Sequence, residues 1–120
     1  MRLPRMTTRR GIVAVGVVAV FLAARSTSQR WAYFRQRAAF HAGFVPMLLR
    51  SAELNQARAI ELGEEAAHYS RVADKTGADA AKRQAKRLMS EARVYQSIAE
   101  DARKQAAARA RRQREYEARW

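Results

Sequence analysis

Leu62–Ala92 reads LGEEAAHYSRVADKTGADAAKRQAKRLMSEA, and its two halves mirror each other about Gly77. On the N-terminal side, small and apolar residues recur at alternating 4-3 spacing: Leu48, Ala52, Asn55, Ala59, Leu62, Ala66, Tyr69, Ala73. On the C-terminal side the same spacing runs Ala81, Ala85, Leu88, Ala92, Tyr95, Ala99, Ala102, Ala106. A 4-3 stripe is one face of an α-helix. Folding the chain at Gly77 sets Ala66 against Leu88, Leu62 against Ala92, Ala59 against Tyr95 and Tyr69 against Ala85. Large side chains then meet small ones, as closely packed antiparallel helices require. Thr76 and Asp79 form a capping-box pattern for the second helix. The expected fold is therefore all-α, an antiparallel helical hairpin with a coiled-coil-like seam, in which Leu48, Leu62, Tyr69, Leu88 and Tyr95 carry the packing.

Working outward, Gly43-Phe44-Val45-Pro46 reads as a break. Glycine suits the position after a helix end and proline the first turn of the next helix. The hairpin helices are accordingly expected over Pro46–Asp74 and Asp79 to about Arg109, within a hairpin segment 45–110. The seam is rich in alanine, so each contact removes little apolar area at ~25 cal/mol per Å². Two helices so thinly cored are marginal alone. A third helix, a second copy or a protein partner is the expected remedy, and Arg25–Gly43 could fold back as that third helix. A faint repeat, E-A-x-x-Y-x-x-[VI]-A-[DE], relates Glu65–Asp74 to Glu91–Glu100. Shared heptad composition suffices to explain it.

The segment before the hairpin, 27–44, interleaves Trp31, Tyr33, Phe34 and Phe40 with Arg30, Arg35 and Arg37. It follows the one run without a charged or strongly polar side chain, Gly11–Ala24 (GIVAVGVVAVFLAA). Fourteen residues at ~1.5 Å each give ~21 Å, short of a ~30 Å hydrocarbon core. Snorkelling by Arg10 and Arg25, and the uncharged flanks Met6–Thr8 and Ser26–Ser28, extend the span. The favoured reading of residues 1–26 is an uncleaved single-pass anchor, with membrane lipid as a partner. Arg10, Arg25, Arg30, Trp31, Tyr33 and Phe34 are then the membrane-interface residues. A cleaved export signal ranks second and a mitochondrial import segment third. The third rests on nine arginines preceding the first acid, Glu53. The bacterial inner membrane is the favoured location and the mitochondrial inner membrane the alternative. Charge asymmetry favours a cytoplasmic N-terminus by about one charge.

Net charge is +13, and from Arg25 onward 20 basic residues face 11 acidic ones. Such a surface draws anionic lipid, nucleic acid or an acidic protein. The tail 111–120 and the residues before it concentrate this charge in Arg103, Lys104, Arg109, Arg111, Arg112, Arg114 and Arg119. The favoured reading of the stretch is a solvated, fraying helix end, with Tyr116 and Trp120 as a small exposed aromatic patch. An anionic partner is the alternative, nucleic acid being the less favoured form of it. No enzyme is expected. His41 and His68 lack metal-spaced partners, and Glu64–Glu65 and Glu100–Asp101 are adjacent pairs pointing to different helix faces. No phosphate loop or activated nucleophile occurs, so no cofactor and no small-molecule substrate are expected.

Phe34–Ala42 (FRQRAAFHA), the alanine-rich hairpin and Ala92–Gln96 (ARVYQ) together resemble a group of small helical proteins from planctomycete-type bacteria. That group carries a short N-terminal hydrophobic run and an AA[YF]H motif near each end of a helical region. Here Ala38-Ala39-Phe40-His41 matches the first motif, while Gln96 stands where the second has histidine. The resemblance implies a helical, N-terminally anchored chain and no particular activity.

Overall fold

The computed structural model describes residues 8–119, with side chains from residue 11 onward. Two helices account for nearly all of it: α1, Thr8–Thr76, and α2, Asp79–Glu117. They pack antiparallel as a hairpin drawn into a rod of 109 × 26 × 13 Å.

The turn is made by one glycine. Gly77 has φ 65, a left-handed conformation that costs other residues roughly 1–2 kcal/mol. Its N–H donates to the Ala73 carbonyl at 2.7 Å and closes α1. The expected capping box does not form. Ala78 is the N-cap of α2 and makes no side-chain cap bond. The Thr76 hydroxyl instead donates back to the Val72 carbonyl at 2.7 Å, while accepting from the Ala78 N–H at 3.4 Å. Asp79 still sits in the first turn, where its charge complements the helix dipole.

The core is a file of alanines around two leucines. Ala52, Ala66, Ala73, Ala92, Ala99, Ala102 and Ala106 are buried, as are Leu62 and Leu88. Leu62, Ala66, Leu88 and Ala92 form one cluster, with Tyr95 packed against it. Leu48 is half-buried as expected. Tyr69 is not in the seam: it is 38% exposed and lies edge-on to the His68 ring.

Two boundaries differ from expectation. No break occurs at Gly43–Pro46, because α1 runs unbroken through Pro46. The Arg25–Gly43 stretch is therefore the lower part of α1 and not a third, folded-back helix. Nor does α2 stop near Arg109; it continues to Glu117 and packs to its end. One reason covers both. The 4-3 spacing extends backward through Val45, His41, Ala38 and Phe34 and forward through Arg109, Gln113 and Tyr116, all buried or half-buried. Continuous packing outweighs a local preference worth ~3 kcal/mol.

All four ion pairs among the described residues lie within a helix and at the surface: Arg58–Glu61, Arg87–Glu91, Asp101–Lys104 and Arg111–Glu115. Each is worth a few tenths of a kcal/mol. The register between helices is thus set by side-chain size in the seam.

Candidate membrane interface

Over residues 11–24 α1 stands alone among the described residues. Ile12, Val13, Val15, Val17, Val18, Val20, Phe21 and Leu22 are each 57–73% exposed, and nothing among the described residues covers them. This helix is long and apolar enough to cross a membrane. Moving eight such side chains out of water is worth on the order of 10 kcal/mol. Arg25 and Arg30 follow, both exposed. Arg10, like Arg2, Arg5, Arg9 and Trp120, lies outside the residues whose side chains are described.

Trp31 and Tyr33 are about half exposed, each with an arginine over its face: Arg35 at 5.6 Å from Trp31 and Arg37 at 5.4 Å from Tyr33. Phe34 does not belong with them. It is half-buried, 6.1 Å from Tyr116 across the seam. Tyr116 in turn stacks flat on His41, at 5.6 Å and 5°. The anticipated exposed Tyr116 patch and fraying tail are thus replaced by an ordered contact.

At the centre of that contact Arg109 bridges the helices. Its Nη1 lies 3.2 Å from Nδ1 of His41, and its guanidinium sits 5.1 Å from Phe44 and 6.0 Å from Phe40. Arginine can only donate, so Nδ1 of His41 accepts and the imidazole is neutral, with its proton on Nε2. His41 is 5% exposed. Burial, then the cations Arg109, Arg112 and Arg37, hold its pKa below the ordinary 6.5. Neither residue's role could be read from its type, but their places on the 4-3 stripe mark them.

No family model, curated protein or solved structure matches the chain. Its site must be read from its own geometry.

The seven basic residues of the predicted anionic patch do not form a single cluster. Arg109 is taken into the seam. Arg103 and Lys104 stand about 10 Å or more further up the rod than Arg111 and Arg112 at ~1.5 Å per residue. Arg111 is paired with Glu115 at 3.1 Å, and Arg112, Arg114 and Arg119 are exposed. The antiparallel fold returns these last residues to the foot of the hairpin, where Arg119 shares a groove with Ser26, Arg30 and Trp31. Residues 25–37 and 111–119 together hold eight arginines against Glu115 and Glu117, a net +6. The tip, residues 61–91, holds six basic and six acidic residues and is neutral. Charge is therefore polarised along the rod toward the apolar run.

The His41 contact makes the foot sensitive to acid. Its pKa is lower folded than unfolded, so its stabilisation is complete above pH 6.5 and is lost as pH falls from 6.5 toward the native value. The protection factors of amides in the last two turns of α2, the observed rates divided into the intrinsic rates at each pH, are expected to be lower at pH 5 than at pH 7.5. His41→Gln is expected to flatten that dependence; an unchanged pH profile in the variant would count against it.

Proposed function

We propose that this chain is a single-pass, membrane-anchored helical protein acting in protein–protein assembly, with a second copy of itself as the first partner. The observation carrying the anchor is the fully uncovered apolar run on a helix continuous with the hairpin. The hairpin then becomes a stalk: Phe34 to Gly77 spans roughly 65 Å at ~1.5 Å per residue.

Assembly is supported by what the stalk leaves exposed. One side carries the grooves lined by Val45, Leu49, Arg103 and Ala110 and by Ile60, Gly63, Met89 and Gln96. The opposite side of α1 carries Tyr33, Phe40, Met47 and Leu54 at strict seven-residue spacing, each 49–64% exposed. Helical geometry sets Val94 and Ile98 of α2 on that same side. A stripe of this kind is what a third or fourth helix covers. Two copies anchored in one membrane present it at the same height, so a two-fold axis along the stalk brings like residue to like. Four helices would then supply the burial that an alanine seam lacks.

With no native cysteine, a cross-link reports directly. In membranes, Met47→Cys is expected to trap a disulfide dimer, while Arg50→Cys, on the outer back of α1, is not. Equal trapping at both positions marks random collision and sinks the reading. Trapping of Met47→Cys to a different protein turns it into that of an accessory subunit in a larger complex. The bacterial inner membrane is the location proposed.

A further inference from the structure

We infer that the C-terminal end of α2 is a second membrane contact, through which anionic lipid headgroups tilt the stalk toward its α2 side. The inference rests on the anchor of the reading above, describes the unpaired stalk, and concerns a surface that reading leaves unused. The fold alone gathers it. Residues 111–119 lie some eighty positions from the apolar run in sequence, yet the hairpin sets them beside its upper end, with Arg119 against Arg30 and Trp31.

Heights decide what the contact demands. Thr8–Ser28 at ~1.5 Å per residue is about 31 Å, enough for the hydrocarbon core. In an upright stalk Arg30 and Arg119 then lie within a headgroup layer about 5–7 Å deep. Arg114 and Arg112 face about the level of Phe40–Ala42 and stand about 17 and 20 Å up, more than the ~8 Å screening length of physiological salt above the headgroup layer. Spanning helices tilt by about 20° on average, which keeps the span at about 29 Å, and α2 lies 8–10 Å to one side of α1. A lean of that size toward α2 lowers Arg112 and Arg114 to about 13–16 Å, within about a screening length of the headgroup layer. The neutral tip gives no competing pull, and the +6 foot supplies the attraction. Glu115, paired with Arg111, and Glu117 are the only acids among residues 111–119. Arginine suits phosphate better than lysine does, because its fork binds two oxygens.

The test uses full-length protein in nanodiscs with a single fluorescent label carried by Ala108→Cys, and a headgroup-attached quencher. Integration is checked first by carbonate extraction. Loss of the chain to the supernatant there overturns the anchored reading itself. With integration intact, quenching is expected to be stronger in discs containing phosphatidylglycerol than in phosphatidylcholine alone. The difference should vanish at about 0.5 M salt, where screening shortens to a few ångströms. It should also vanish on joint Arg111→Gln, Arg112→Gln, Arg114→Gln and Arg119→Gln substitution, with helix content unchanged. A label carried by Ala80→Cys at the tip should respond to none of these. Equal quenching in charged and neutral discs overturns the inference. So does a label blind to lipid charge on a chain that binds single-stranded RNA in a salt-dependent way, which assigns these arginines to nucleic acid.

Discussion

Leu62→Ala is expected to destabilise the hairpin by about 3 kcal/mol, within the range for buried leucine truncations. The melting temperature followed by helix circular dichroism should fall by on the order of 10 °C. Leu62 is 3% exposed and, with Leu88, is one of two buried leucines among the described residues, in a seam rich in alanine. It packs among Ala66, Leu88 and Ala92, with Tyr95 at the edge. Truncation leaves alanine facing alanine. The helices cannot close the gap at that one level, because the turn at Gly77 and the neighbouring alanines already hold them at their closest approach. The lost contacts are thus not recovered by collapse, and the cost should sit above the low end of the leucine series. Ile60→Ala, two residues away but 55% exposed, is the matched control and should change stability by no more than about 0.5 kcal/mol. If the two variants melt together, the seam does not hold the hairpin.

The seam was legible in the sequence, and the reason is specific. Size complementarity about Gly77 needs no knowledge of the membrane or of a partner, so the pairing of Leu62 with Ala92 and Leu88 with Ala66 follows from spacing alone. Tyr69 was misread because a correct position on the stripe was taken as sufficient; the ring turns toward His68 and stays 38% exposed. The lower hairpin was hidden by two polar residues. Arg109 and His41 look like an end to the stripe when read singly, and only as a pair does each satisfy the other. The meeting of Arg119 with Arg30 is a product of the return path of α2, which local pattern cannot reveal. The apolar run was plain from composition, and the fold adds that nothing among the described residues covers it.

Pro46 is where local and tertiary preferences collide, and Pro46→Ala is expected to stabilise the hairpin by about 2 kcal/mol. Within a helix, proline withholds one backbone hydrogen bond and crowds the carbonyl four residues back, here that of Ala42, at a cost of ~3 kcal/mol. Alanine restores the bond, less up to about 1 kcal/mol for the greater freedom it gives the unfolded chain. Pro46 is exposed, so little packing is lost in exchange. The helix passes through this residue because it is held on both sides: by the His41–Arg109–Tyr116 contact below and by Ala52 and the leucine cluster above. That arrangement makes Pro46 a weak joint between a foot held by aromatic and cationic contacts and an upper stalk held by aliphatic ones. Amide exchange over Ala42–Arg50 is therefore expected to be faster than over Leu62–Ala73 in the natural chain, and to slow in the variant as melting temperature rises. A variant that melts lower, with exchange unchanged, would mean that α2 packs against a bend which only proline supplies, and that the joint is a fitted part of the seam.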